Sequence, residues 1–290
     1  MSNSSHPPRI RGLSEIVADY RYILCDAWGV IHNGVTAYPA AVDALRKCRE
    51  AGLKVLIITN APRPKQQVME QFTRFGVDHD AFDDIITSGG AARDYLAARP
   101  GIRVHHVGAE RDLAIYDGLD VTLAGEEEAE LISCTGLFDD RVETPEDYAD
   151  AFIRWKERGL MMLCANPDKV VERGDTLVWC AGALAERYAG IGGETVVLGK
   201  PHRPIYETAM ARFAGLAGGP VDRSAILAIG DAIATDLRGA NDFGLDVLFV
   251  TAGIHAEEYG ERENPDAEKV SAFLKASGFG ARAYIPHLTF

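Results

Sequence analysis

What this chain lacks narrows it first. It has no apolar run long enough to cross a bilayer, and its polar segment Met1 to Arg11, with Pro7-Pro8, has no apolar core of the signal-peptide kind. A cytoplasmic protein is expected. Cysteine is sparse: Cys25, Cys48, Cys134, Cys164 and Cys180 are odd in number and form no CxxC pair. Reduced, buried thiols are therefore expected rather than a disulfide framework or a zinc site. Positive charge is also short, at 30 Lys and Arg against 43 Asp and Glu, so the net charge is −13. Such a surface repels phosphates over most of its area, which argues against nucleic acid and membrane surfaces as partners. A small phosphorylated ligand stays possible, because one lysine, helix N-termini and a bound cation reverse the sign within a pocket. Internal repeats and low-complexity tracts are missing too, and Glu126-Glu127-Glu128 reads as a solvated face.

What is present is a series of apolar runs that stop abruptly. The run Tyr22-Ile-Leu-Cys-Asp26-Ala-Trp-Gly-Val-Ile31 reads as a buried parallel strand with an aspartate at its carboxyl end, where open α/β sheets place ligands. Aspartate also suits turns and caps, so Asp26 gains weight only from later segments. Pro39 suits the first turn of a helix with Val42, Leu45 and Cys48 on one face, which Gly52 ends. The next strand, Leu53 to Asn60, closes on Thr59-Asn60. Strand, helix and strand with short links imply a parallel βαβ unit, so Asp26 and Thr59 emerge at one sheet edge. A helix from Pro64 to Gly76 follows, then a strand Asp84 to Thr87 and a helix that Ser88 would cap.

The texture then changes. Short strand-like and helical segments fill residues 89–195, including a helix start at Thr144-Pro145 and a turn at Asn166-Pro167-Asp168. The sheet pattern is expected to resume at Thr195-Val-Val-Leu-Gly-Lys200-Pro201. Ala225 to Gly230 is another buried strand, ending in Asp231, and Thr235-Asp236 opens the next helix. At 290 residues the chain is comfortable for two units. The expected fold is α/β: a parallel sheet core from 1–88 and 196–290, with an α/β cap domain inserted over 89–195.

The acids, Thr59-Asn60 and Lys200 then fall at equivalent strand ends. Two carboxylates on neighbouring strands make a hard oxygen site suited to Mg²⁺, while Thr59, adjacent backbone N–H groups and Lys200 suit a phosphoryl group. Each also has a plain reading: a turn for Thr59-Asn60, a surface lysine for Lys200, helix N-terminal acids for Asp231 and Asp236.

Asp26-Ala-Trp-Gly-Val, Thr59-Asn60, Gly199-Lys200-Pro201 and Gly230-Asp231-Ala-Ile-Ala-Thr-Asp236 together resemble the four motifs of the haloacid dehalogenase (HAD) superfamily. Ala165-Asn-Pro-Asp168 and Ala181-Gly-Ala183 are similar to the cap of its NagD-like class IIA branch. The resemblance implies a Rossmann-like core and hydrolysis of small phosphate esters, such as sugar or nucleotide phosphates, through an aspartyl-phosphate. It makes Asp26 the nucleophile. Mg²⁺ would be held by Asp26, the Trp28 carbonyl and Asp231, with Asp236 supporting it. Thr59, the Asn60 backbone and Lys200 would grip the phosphoryl group, and Asn166 and Asp168 would act in substrate choice from the cap. Cap-mediated homodimers would suit this branch.

One residue departs from the pattern. Phosphatases of the superfamily carry a second aspartate where this chain has Trp28, and an indole N–H has no useful acid–base titration. Loss of a general acid/base costs about 10²–10⁴ in rate. Three readings follow: a phosphatase with an altered acid step, with His32 the nearest titratable group; a hydrolase of another bond, C–P or C–halogen; or a chain that binds a phosphorylated ligand or a protein partner with little turnover. The intact Gly230-Asp231 to Asp236 motif speaks for retained Mg²⁺ and against the dehalogenase.

Overall fold

Short apolar runs closed by turn residues become strands, and the computed structural model places most of them as their periodicity predicts. It describes residues 3–174 and 176–290; Met1 and Ser2 of the polar amino-terminal segment lie outside the described residues. In chain order the strands are β1 (Tyr22–Cys25), β2 (Lys54–Thr59), β3 (Asp84–Thr87), β4 (Ile102–Val107), β5 (Val121–Leu123), β6 (Leu131–Cys134) and β7 (Met161–Cys164), then β8 (Val170–Arg173), β9 (Thr176–Trp179), β10 (Thr195–Val197), β11 (Ile226–Gly230), β12 (Asp246–Val250) and β13 (Ala283–Ile285). The α-helices are α1 (Pro39–Glu50), α2 (Lys65–Phe75), α3 (Ser88–Ala97), α4 (Ala149–Glu157), α5 (Ala181–Gly190), α6 (Arg203–Ala217), α7 (Arg238–Phe243) and α8 (Ala267–Ser277). None of the described helices is long and apolar enough to cross a membrane.

The chain divides into two compact units. One comprises Met1–Thr59, Met69–Ile86 and Tyr206–Phe290; the other comprises Asn60–Val68 and Thr87–Ile205. The first unit carries a six-stranded sheet in the order β13-β12-β11-β1-β2-β3. β1 lies between β11 and β2, parallel to both, with Cys25 opposite Ile229 and Ile57. The residue after Cys25 therefore emerges level with the ends of both neighbours. Both faces of such a sheet must be covered, which is why these strands are almost wholly apolar. On α1 the expected stripe is in place, with Val42, Leu45 and Cys48 buried.

The second unit has its own five-stranded parallel sheet, β10-β7-β6-β4-β5, and a two-stranded hairpin, β8-β9. Trp155, Phe152 and Tyr188 lead a buried cluster that packs α4 and α5 on β6 and β7. Thr144 and Asp147 form a capping box at the 3₁₀ turn that leads into α4, so the Thr144-Pro145 signal was sound.

Three local expectations change. Thr195–Val197 does not resume the first sheet; it pairs with β7 as the edge of the second. Its residues are only partly buried, as an edge position allows, whereas the sequence pattern alone cannot say which sheet an apolar triplet joins. The cap of α3 is Thr87, whose hydroxyl accepts the Gly90 N–H at 2.8 Å, rather than Ser88. The hairpin β8-β9 was not foreseen, because Leu177 and Trp179 are exposed and bury no face that would mark it as a strand pair. All five cysteines are buried, as expected.

Candidate functional site

The carboxyl edge of the six-stranded sheet gathers three acids. Asp26 follows β1 and stays in register by donating its N–H to Ile229 O at 2.8 Å. Asp231 follows β11. Asp236 sits in a π-helical turn, Ile233–Leu237, that opens α7; its carboxylate accepts the Ala232 N–H at 3.2 Å. Such wide turns recur at functional sites, and here one carries the side chain back over the strand end. Asp26, Asp231 and Asp236 are all buried, each offering a carboxylate oxygen within 4.8 Å of the others. Two unit charges at that spacing repel by about 3 kcal/mol even at an effective dielectric of about 20. A hard divalent cation is the counter-charge such an all-oxygen set fits.

Thr59, also buried, ends β2 beside β1. Its successor Asn60 belongs to the second unit, where its side-chain amide is fully engaged. Asn60 Nδ2 donates to Asp168 Oδ1 at 2.9 Å and to Lys200 O at 3.1 Å, and Oδ1 accepts the Lys200 N–H at 2.7 Å. Asn166 Oδ1 accepts the Asp168 N–H at 3.1 Å. The Lys200-Pro201 peptide is cis. Asn60, Asn166, Asp168 and Lys200 thus form one hydrogen-bonded group within that unit, and Lys200 is buried. Asp26, Asp231 and Asp236 form the other group in the first.

Trp28 lies in the tight turn after β1, where the Gly29 N–H donates to His32 O at 2.9 Å. Its indole meets His32 edge-on at 5.2 Å between centroids and covers Gly34, where an added Cβ would come within 2.3 Å of the ring. His32 itself is buried against Phe72 and Phe75. Its Nδ1 accepts the Gly34 N–H at 3.0 Å, and burial pushes its pKa down to about 3. Sequence reading treats His32 as an unremarkable loop residue or a spare proton donor; the structure makes it a neutral packing element. A neutral imidazole buried this way is a poor general acid near neutral pH.

That burial has a consequence for stability. The native pKa lies below the unfolded value, so protonation favours the unfolded chain, and the effect begins near pH 6.5 and ends near the folded value. His32→Asn keeps an acceptor for Gly34 but cannot titrate. Wild type should lose stability relative to this variant by up to about 1.4 kcal/mol per pH unit below pH 6.5. Urea denaturation of both proteins at pH 8 and pH 4.5 measures it; a constant difference would show that His32 titrates normally.

Sequence reading also passed over Gly253 and Ile254. The Ile254 N–H donates to Asp231 Oδ2 at 3.0 Å, and Gly253 lies against the same carboxylate. The available signal was position alone: Thr251-Ala-Gly253 follows β12, the next strand end along the same edge.

Comparison with known proteins agrees with this geometry. Two families match: one described as haloacid dehalogenase-like hydrolase over residues 23–122, and one described as HAD-hydrolase-like over residues 197–275. A haloacid dehalogenase-like hydrolase from Brucella suis 1330 is 46% identical, with a TM-score of 0.86, covering 97% of this chain and 99% of that one. A 5'-nucleotidase of Bacillus subtilis (strain 168) is 26% identical over 242 residues, 83% of this chain and 90% of that protein. NagD from E. coli K-12 shares the fold at a TM-score of 0.67 and 21% identity, covering 92% of this chain and 96% of that one. The chain belongs to the haloacid dehalogenase-like hydrolases.

Proposed function

We propose that this protein is a Mg²⁺-dependent phosphatase of small phosphorylated metabolites, sugar or nucleotide phosphates among them, with a weakened proton-transfer step. The observation that carries this reading is the trio of buried carboxylates at the carboxyl edge of a parallel sheet. The relative named as a 5'-nucleotidase supports the substrate class. In this reading the unit with the six-stranded sheet is the catalytic core, and the second unit, which holds residues 89–195 together with 196–205 and so all of β10, is its cap.

Asp26, Asp231 and Asp236 would hold Mg²⁺, with the Trp28 carbonyl as a further oxygen; all-oxygen ligands and charge balance fit that ion. Bound there, it would supply positive charge for the phosphoryl oxygens. Asp26 would attack phosphorus, forming an acyl phosphate as the ester P–O bond breaks, and water would then cleave the acyl phosphate. Thr59, the Asn60 backbone and Lys200 would bind the phosphoryl oxygens, and Asn166 and Asp168 would act on substrate choice. The leaving alkoxide needs a proton that Trp28 cannot give. The acidic chain suits a small anionic substrate met in the cytoplasm better than nucleic acid or a membrane surface, and a homodimer through the cap fits this branch.

Phosphate release from a panel of sugar phosphates, nucleotides and an aryl phosphate tests the proposal. Turnover should fall to background in EDTA and return with Mg²⁺. Hydrolysis indifferent to EDTA would contradict it. Trp28 favours a second reading, in which the chain binds a phosphorylated ligand or a protein partner without turnover; tight Mg²⁺-dependent ligand binding with no phosphate release would favour that one.

A further inference from the structure

Asp231 is surrounded by positions at which no side chain fits. A Cβ added to Gly253 would lie 1.9 Å from Asp231 Oδ2 and 2.4 Å from its Cβ, and one added to Gly29 would lie 2.2 Å from Oδ2. The two glycines differ in kind. Gly29 has φ +82°, so its conformation alone favours glycine, whereas Gly253 is not among the positive-φ residues. At Gly253 it is the space taken by the Asp231 side chain, Cβ and carboxylate together, that excludes a side chain. Next to it, the Ile254 N–H donates to Asp231 Oδ2 at 3.0 Å. The same arrangement recurs at the neighbouring acid, where a Cβ on Gly230 would lie 2.3 Å from that of Asp236.

We infer that the Gly253-Ile254 turn is a backbone cradle for the Asp231 carboxylate, and that Gly253 is a positioning residue for the divalent cation. The cation half of this inference rests on the proposed function; the cradle half does not. The physical reason is that a carboxylate close to two others is repelled by them and would swing away unless held. A backbone amide on one oxygen and close backbone on one side restrain the carboxylate. A strand end followed by a turn without side chains allows that approach, and a larger residue at 253 would push the carboxylate out of place.

The test is a cycle of four proteins: wild type, Gly253→Ala, Asp231→Gly and the double variant, each in EDTA. With the carboxylate present, Gly253→Ala should lower the thermal midpoint by about 3 to 10 °C, the cost of forcing one methyl into filled space. In the Asp231→Gly background the same change should cost nothing or raise the midpoint, because the methyl enters space that the whole Asp231 side chain, Cβ included, has left. If Gly253→Ala alone does not fold, recovery of folding in the double variant gives the same answer. Equal cost in both backgrounds, or failure of both to fold, overturns the cradle. Calorimetric titration with Mg²⁺ reads the second half: wild type should bind, and Gly253→Ala should bind at least about tenfold more weakly. Unchanged affinity would overturn the positioning role, whereas no binding by wild type would overturn the metal reading and leave the cradle to the EDTA cycle.

Discussion

Asp26→Asn should abolish phosphate release, lowering kcat by about 10⁴-fold or more, the order seen when the nucleophile of a covalent mechanism is removed. The amide has nearly the shape of the carboxylate, and the bond from the Asp26 N–H to Ile229 O belongs to the backbone, so the strand end should keep its place. What changes is charge and nucleophilicity. In the absence of metal the substitution also removes one of three mutually repelling buried carboxylates. The apo variant should therefore melt higher than apo wild type, by a few degrees, while its activity disappears. Opposite signs for stability and turnover distinguish a site built around charge from one in which Asp26 merely caps a turn. Loss of activity accompanied by a lower apo melting temperature would point to a structural role instead.

The legible parts of this chain are those where one local rule decides. β1, β2, β11 and β12 are apolar runs closed by an acid, hydroxyl or amide, and burial on both faces leaves little else for such runs to be. Because connections in parallel sheets are short and of one hand, Asp26 and Asp231 were expected at one edge, and both are there. The illegible parts depend on partners distant in sequence. β10 joins β7 because of a pairing 33 residues away from its own start, from Thr195 back to Met162, and nothing within the triplet marks it. The hairpin β8-β9 exposes Leu177 and Trp179, so alternation gives no burial signal. His32 is set by Phe72 and Phe75 from a helix 40 residues on, and only their enclosure turns a loop histidine into a neutral core group. Gly253 matters through a carboxylate 22 residues earlier, which no local rule reads.

Trp28→Asp is the converse experiment, and it should gain function. The substitution places a carboxyl two residues after the proposed nucleophile, where the proposed reading puts the missing proton donor. On alkyl phosphates, whose leaving alkoxide must be protonated, kcat should rise by about 10²-fold, with 10⁴-fold as the upper end for a positioned acid. On an activated aryl phosphate the first step needs no proton, and its rate should barely change. The second step still needs a base to activate water, so wild type acting on the aryl phosphate should release a burst of phenolate stoichiometric with enzyme, then turn over slowly. In Trp28→Asp the burst should vanish into a faster steady state. There is a structural cost: the indole that covers Gly34 and meets His32 edge-on is lost, and removing a part-buried aromatic ring lowers stability by about 1–3 kcal/mol. Activity must therefore be measured well below the variant's melting temperature. A gain on alkyl esters, together with loss of the aryl burst and an unchanged rate for the aryl first step, would locate the missing chemistry at Trp28. A faster aryl first step, or no gain on either substrate, would mean that proton transfer is not what Trp28 withholds.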